Sequence, residues 1–342
     1  MIYYLKVAVI GVEVRMPESF SALAEDFLFE FRHFLTDAPP EKNQIFLNIQ
    51  PSSVLPESLA QKRFALFKTS YCRAFGWSRR VCQYPQGSLV TLARQQEELR
   101  GDIFGGHQAE LAEILRLLVL SLTGEALDRA GFHRIHALAW SVQDKIFLFS
   151  APSGGGKSTL AWVFLRQVPH GLILADETCL VSPGGEILAL PLSLSLKKAP
   201  EEETSFVAQR AHGIRYKVGI SAERICWSGK VRVLAVGLKP GAEFCFTKMS
   251  WMDQLRFLLR VTLGLGNAQM REFMLREDLV WELPKIALSR LKTALRLLRA
   301  SETRSLRLSD QPSKNVSFIL NALADSQKSE RFSLRPRQRK VF

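Results

Sequence analysis

Short hydrophobic runs alternate with polar stretches over the first hundred residues of the chain. Three runs are rich in β-branched and aromatic residues and predict strands: YYLKVAVIGVEV at 3–14, QIFLNI at 44–49 and SLVTLA at 88–93. The segments between them are rich in Pro, Glu and Lys and predict helices or loops. No chemical constellation stands out in this part. We therefore predict an N-terminal α+β accessory or substrate-facing domain over residues 1–105.

A different pattern begins near His107. Apolar residues recur there at a spacing of about 3.6, which predicts one helix running toward Gly131. The residues that carry this repeat are Leu111, Ile114, Leu115, Leu118 and Leu122. We place the boundary between two domains near the start of this helix.

Beyond Arg134 the chain alternates between strands and helices, which is typical of an α/β domain. The predicted elements are strands at 135–140 and 145–150, a glycine-rich loop, a helix, a strand at 171–176, a hairpin around 183–185, strands at 230–238 and 242–249, and helices at 251–263 and 288–299. We predict an α/β fold with a mixed central sheet for residues 106–310. Residues 311–342 are then a basic C-terminal tail.

Length and composition fit a folded protein of two parts. The chain has 342 residues, of which 47% are hydrophobic, enough for sizeable cores. Its first residues lack the basic and apolar regions of a signal peptide, and the most apolar helix carries Glu113, Arg116 and Glu125. Five cysteines without C-x-x-C spacing disfavour a zinc ribbon or a disulfide framework. We expect a cytoplasmic protein without a membrane span.

The formal net charge of +13 favours acidic partners such as nucleotides, nucleic acid, anionic lipid or an acidic protein. Part of the excess lies near the end of the chain, in Arg290, Lys292, Arg296, Arg299, Arg304, Arg307 and the RPRQRK segment from Arg335. Either a solvated face with a loose tail or a docking surface explains this distribution. No aromatic-interleaved basic patch supports nucleic-acid binding.

The clearest motif is the glycine loop in FLFSAPSGGGKSTLAWVFL, which has a strand pattern before it and an amphipathic helix after it. The P-loop consensus G-x-x-x-x-G-K-[ST] is complete except that Ala151 replaces the first glycine. Successive glycines let backbone N–H groups face phosphate oxygens, and the helix presents its positive end to the same anion. The candidate ATP-binding residues are Ser153, Gly154, Gly155, Gly156, Lys157, Ser158 and Thr159. Lys157 adds a charge at the β- and γ-phosphates, and Ser158 offers its hydroxyl to Mg²⁺.

An acidic pair, Asp176 and Glu177, follows the next predicted strand. A P-loop requires a carboxylate at such a strand end, to hold Mg²⁺ or to accept a proton from the attacking group. Only nineteen positions separate Lys157 from Asp176, room for one short helix and a turn. ABC-transporter ATPases and RecA-like motors place a large insertion here, and no LSGGQ-type signature is present. The spacing therefore disfavours a motor ATPase.

The run from Arg134 to Lys198, about 65 of the 342 residues, resembles a known family. It holds a His before the P-loop, the P-loop itself, an acidic pair one short helix later, a Gly-containing hairpin and the LSLKK stretch. This order is similar to that of the catalytic core of HPr kinase/phosphorylase and its shorter relatives, the HPr-kinase-like serine kinases, which include peptide kinases of lasso-peptide pathways.

The resemblance implies a nucleotide-binding core like that of phosphoenolpyruvate carboxykinase and transfer of the γ-phosphate of ATP to a serine hydroxyl of a protein or peptide. By position, His136 assists the acidic residue at the active site, Asp176 is the base and Glu177 contacts Mg²⁺, and these last two roles are exchangeable. The family commonly has two aspartates there, so Glu177 is a departure. Lys197 matches a lysine that faces phosphate or substrate. No counterpart of the C-terminal segment that binds HPr is evident, which disfavours HPr as the acceptor.

Other interpretations of these residues stay open. His136 alone fits a hydrogen-bonded core histidine, and Lys197 a solvated turn. The pocket also fits a non-catalytic nucleotide sensor, a small-molecule phosphotransferase, or an ATPase whose acceptor is water. Homo-oligomerisation is compatible with the sequence. Among these alternatives, an ATP- and Mg²⁺-dependent serine kinase is our working hypothesis.

Overall fold

The fold is taken from a computed structural model of the chain. It describes residues 1–39, 43–54, 67–68, 73–76, 79–96, 98–142, 145–152, 154–200, 206–210, 213–263 and 277–333. The predicted nucleotide-binding residue Ser153 and the RPRQRK segment lie outside these ranges.

A nine-stranded sheet forms the first part of the molecule. Its strands are β1 (Ile2–Val7), β2 (Ile10–Arg15), β3 (Leu35–Thr36), β4 (Asn43–Pro51), β5 (Phe67–Lys68), β6 (Arg73–Phe75), β7 (Arg80–Gln83), β8 (Leu89–Gln95) and β9 (Glu98–Gly105). Their order in the sheet is β3-β1-β2-β4-β9-β8-β7-β6-β5. The β2–β4 and β4–β9 pairs are parallel and the other pairs are antiparallel, so the sheet is mixed.

The remaining strands form a second and a third sheet. They are β10 (His133–Ile135), β11 (Ala137–Val142), β12 (Lys145–Ser150), β13 (Leu172–Ala175), β14 (Cys179–Val181), β15 (Glu186–Leu188), β16 (Leu194–Leu196), β17 (Phe206–Arg210), β18 (Gly213–Val218), β19 (Ser228–Gly237), β20 (Cys245–Lys248) and β21 (Glu302–Arg307). The second sheet has the order β10-β14-β15-β19-β12-β11-β13, with β21 on β19 and β20 on β21. The third sheet has the order β16-β18-β17.

The helices pack against these sheets. They are α1 (Ser21–Phe31), α2 (Gln108–Arg129), α3 (Lys157–Gln167), α4 (Trp251–Leu263), α5 (Glu277–Val280), α6 (Leu283–Ala300) and α7 (Pro312–Ser333). None of the helices in the described part of the chain is long and apolar enough to cross a membrane. The expected α/β fold with mixed sheets is confirmed.

Among the described residues, the two larger hydrophobic cores lie against the first sheet and the second sheet. Helices α1 and α2 bury apolar side chains on the first sheet, where Phe27 of α1 and Leu118 of α2 are almost completely inaccessible to solvent. Helix α2, which we assigned to the second domain, therefore shares the core of the first sheet. In the second core Trp140 of β11 stacks on Phe147 of β12 and on Phe164 of α3, with ring centroids 4.8 and 4.3 Å apart. This aromatic stack fixes α3 against the sheet.

Two segments differ from the sequence prediction. The first predicted strand is a hairpin, because a two-residue turn at Ala8, whose φ is 53°, joins β1 to β2. Ala-Val is not a typical turn pair, so the apolar pattern runs through the turn without a break. The segment predicted as a tail begins with α7, which contacts α3 and buries Val316 and Ile319 in the second core.

Candidate functional site

The strand directions of the second sheet bring three separate segments to one edge. Strand β11 is antiparallel to both β12 and β13, so the start of β11 lies beside the ends of its two neighbours. Ala137 at the start of β11 pairs with Ser150 at the end of β12. Ala175 at the end of β13 pairs with Ala139. His136, the glycine loop and the acidic pair therefore meet although they are distant in sequence.

The glycine loop turns sharply between β12 and α3. Gly154 and Gly156 have φ values of 77° and 83°, a region that glycine adopts at little cost and other residues rarely enter. Gly156 caps the N-terminus of α3, and Lys157 is the first residue of that helix. The free N–H groups of the first turn and the positive helix end therefore face the loop, which is the arrangement that binds phosphate.

Ala151, the departure from the P-loop consensus, is accommodated by a neighbouring glycine. Its side chain is buried in the second core. A Cβ added to Gly237, the last residue of β19, would lie 2.6 Å from the Cβ of Ala151. The missing side chain at Gly237 thus leaves the space that the extra methyl group of Ala151 fills.

Lys157 is buried and folds back over its own loop. Its Nζ donates hydrogen bonds to the backbone oxygens of Ala151 at 2.8 Å and Pro152 at 3.1 Å. Burial lowers the pKa of Lys157 to about 8, although Glu177 and Asp176 act in the opposite direction. At neutral pH the ammonium group is thus mostly charged and held where a phosphate would lie in a P-loop.

Asp176 is a buried carboxyl group beside this loop. Neither of its carboxyl oxygens has a hydrogen bond of normal geometry among the described residues, although the Ser158 hydroxyl and the Ser195 backbone lie close enough to influence its pKa. Burial, and then the charge of Glu177, raise the pKa of Asp176 to about 7, while Ser158, Lys157 and the Ser195 backbone act to lower it. A buried polar group without a partner costs free energy, and a site for a ligand is one reason to retain it.

The raised pKa predicts a pH-dependent gain in stability for Asp176→Asn in the metal- and nucleotide-free protein. The pKa rises from 3.8 in the unfolded chain to about 7 in the folded protein. The stability contributed by the protonated form is therefore complete below about pH 4 and is lost as the pH rises through 7. As the pH rises past both pKa values, the free energy of unfolding of the unchanged protein falls by about 4 kcal/mol. Roughly 2–3 kcal/mol of this decrease falls between pH 5 and pH 8.

Urea denaturation in EDTA at both pH values measures this effect. Asp176→Asn should stabilise the protein clearly more at pH 8 than at pH 5, because the amide does not ionise. An equal change in the free energy of unfolding at the two pH values would contradict the raised pKa.

Glu177 and His136 lie at the mouth of the same site. One Nη atom of Arg116 on α2 donates to Oε2 of Glu177 at 3.2 Å, and about a third of the Glu177 side chain is exposed. Burial, followed by the charge of Lys157, lowers the pKa of His136 to about 4. The imidazole of His136 is thus neutral at pH 7 and available as a hydrogen-bond donor or acceptor.

A cleft of about 570 Å³ opens above the loop. The predicted site residues that line it are His136, Gly154, Gly156, Lys157, Ser158, Thr159, Glu177 and Lys197. Gly155 lines a second cleft of about 380 Å³, and Gly154 lines both clefts. Asp176 is buried next to Glu177. The structure therefore places every described residue of the predicted site around one loop.

Several residues of the site were missed in the sequence. Trp162, Ser195, Lys198 and Arg215 line the first cleft, and Arg256 and Arg260 line the second. The guanidinium of Arg260 on α4 donates to the backbone oxygen of Ser150 at 3.5 Å. Its charge lowers the pKa values of both His136 and Lys157, which adds to the positive potential around the loop.

Mg²⁺ prefers oxygen ligands, and this site offers carboxylate and hydroxyl oxygens. The described residues contain no group of three or more His, Cys, Asp or Glu side chains that could hold a metal. Mg²⁺ is commonly bound by one or two carboxylates together with substrate phosphates and water. Asp176, Glu177 and the Ser158 hydroxyl fit that mode, in which phosphate oxygens supply the remaining ligands.

No family model matches the chain, and no curated protein matches it.

Proposed function

We propose that the protein is an ATP-dependent kinase that transfers the γ-phosphate to a serine hydroxyl of a protein or peptide. The observation that carries this proposal is the buried, unpartnered carboxyl group of Asp176 beside a glycine loop that bears Lys157. The loop geometry favours a phosphate ligand, and a carboxyl group with a pKa of about 7 is a better proton acceptor than an ordinary aspartate. The order of His136, loop and acidic pair further supports a nucleotide core of the HPr kinase and phosphoenolpyruvate carboxykinase type.

In this proposal the backbone N–H groups of the loop and the Lys157 ammonium group hold the phosphates of ATP, and ADP is the leaving group. Ser158 and Glu177, with Asp176 near them, would hold Mg²⁺, which neutralises charge on the phosphates when bound. The serine oxygen forms a bond to the γ-phosphorus while the bond between that phosphorus and the β–γ bridging oxygen breaks. Asp176 accepts the serine proton. His136, neutral at pH 7, lies at the backbone of Glu177 and would help to place the acidic pair.

The cations on the rim of the cleft add to the proposal. Lys197 and Lys198 are exposed beside it, and Arg215 also lines it. No ion pair is recorded for these three side chains within the described ranges. They would attract the anionic nucleotide, or an acceptor that carries acidic groups.

The experiment that tests the proposal is incubation with γ-labelled ATP and candidate serine peptides and proteins, with Lys157→Ala as the blank. Label on a serine side chain, absent from the blank and located by mass spectrometry, is the expected result. Steady release of inorganic phosphate without any labelled acceptor would instead indicate an ATPase. ATP that binds and stays intact under all conditions would indicate a nucleotide sensor.

A further inference from the structure

A series of ion pairs connects the first part of the molecule with the site. Lys217 on β18 lies 2.7 Å from both Asp26 and Glu30 of α1. Glu30 accepts a hydrogen bond from Nε of Arg116 at 2.9 Å, and Arg116 donates in turn to Glu177. This series of ion pairs thus runs from helices α1 and α2 to Glu177, the residue beside Asp176.

Burial and several polar contacts hold the inner end of this series of ion pairs, at Glu30 and Lys217. The side chains of Glu30 and Lys217 are 2% and 3% exposed. Glu30 also accepts a hydrogen bond from the Ser193 hydroxyl at 2.7 Å. Burial alone would raise the pKa of Glu30, but Arg116 and Lys217 lower it well below its ordinary value. The Glu30 carboxylate is therefore charged, and the guanidinium group of Arg116 has a fixed anchor on the side away from the cleft.

The charges in this series of ion pairs leave Glu177 able to bind a cation. Asp26 and Glu30 together balance Lys217 and Arg116, so the negative charge of Glu177 is not cancelled by the pairs behind it. A cavity of about 160 Å³ adjoins Arg116 and Glu177. It gives the Glu177 side chain space to turn away from Asp176 if Arg116 does not hold it.

We propose that Arg116 is a positioning residue, through which the N-terminal part of the chain holds the Glu177 carboxylate at the edge of the phosphate-loop cleft. The ion pairs orient Glu177 without neutralising it, as second-shell partners orient metal ligands elsewhere. This inference rests on the proposed function, because it gives Arg116 a role only if Glu177 contacts Mg²⁺ together with ATP.

The test is ATP binding by isothermal titration calorimetry, measured with Mg²⁺ and again in EDTA, together with the transfer assay. For Arg116→Met we expect an affinity for Mg-ATP that is about 10- to 100-fold weaker, the range typical of lost second-shell partners. The affinity for ATP in EDTA should not change, since the loop and Lys157 are intact. A general loss of structure would weaken both affinities.

Two further variants sharpen the test. Arg129→Met removes an arginine of the same helix that pairs with Glu125 and Glu282, and both affinities should equal those of the unchanged protein. Glu30→Gln removes the charge that anchors Arg116, and a smaller loss confined to Mg-ATP is expected. If Arg116→Met does not fold, Glu30→Gln decides the matter in the same assay.

Two outcomes would overturn the inference, and they differ. If Arg116→Met or a folded Glu30→Gln retains the full gain in affinity from Mg²⁺, Arg116 does not position Glu177 and the proposed function is unaffected. If the unchanged protein shows no gain from Mg²⁺ at all, the metal role of Glu177 in the proposed function fails, and the role of Arg116 fails with it.

Discussion

Replacing Lys157 with alanine should nearly abolish ATP binding while leaving the fold intact. The ammonium group is buried and placed over the loop, so its loss removes a charge-assisted contact to phosphate in a partly desolvated site. Removing one partner of such a buried pair costs about 2–5 kcal/mol, which is roughly a 30-fold or larger increase in Kd. Transfer of phosphate should fall below detection, because Lys157 also meets the charge that develops on the phosphates.

The free protein should not lose stability with this substitution. Burial lowers the pKa of Lys157 to about 8, which shows that the folded state disfavours its charge when no phosphate is bound. Calorimetric titration with Mg-ATP and thermal denaturation without nucleotide measure the two effects. Lys145→Ala, at the opposite end of β12, is the matched control and should bind ATP normally. Unchanged ATP affinity for Lys157→Ala would rule out this loop as the nucleotide site.

The part of the site that is contiguous in sequence could be predicted. The predicted strand 145–150 coincides with β12, and the predicted helix after the glycines is α3. Strand, loop and helix are encoded by neighbouring residues, and each side of the loop carries its own signal: β-branched and aromatic residues before it, Lys-Ser and an apolar stripe after it. Asp176 was found for the same reason, since it ends the next strand along the chain.

The long-range part of the site could not be predicted from one sequence. Arg116 lies 61 positions from Glu177 and Arg260 lies 110 positions from Ser150. Their contacts depend on how helices pack on sheets, which local patterns do not specify. A partial signal exists, because Arg116 is a charge within an otherwise apolar stretch of α2, and a charge that is mostly shielded from solvent there requires a partner. The pattern indicates that a partner exists but not that it is Glu30 and Glu177.

Replacing Asp176 with asparagine should produce the opposite pattern to Lys157→Ala, with ATP binding retained and transfer lost. Asparagine has nearly the same shape but cannot accept the serine proton at neutral pH, and loss of a general base costs about 10²- to 10⁴-fold in rate. The affinity for ATP in EDTA should be equal or slightly higher, because a negative charge near the phosphates is removed. Single-turnover transfer of labelled phosphate and calorimetric titration separate the two quantities.

Glu177→Gln is the informative companion variant. In the alternative assignment Glu177 is the base and Asp176 contacts the metal, so the two variants distinguish the assignments. If Asp176 is the base and Glu177 contacts the metal, Glu177→Gln raises the Mg²⁺ concentration needed for transfer but leaves a measurable rate at saturating metal. Asp176→Asn leaves the rate low at any Mg²⁺ concentration. The reverse result, with Asp176→Asn rescued by Mg²⁺ and Glu177→Gln not, would assign the base to Glu177.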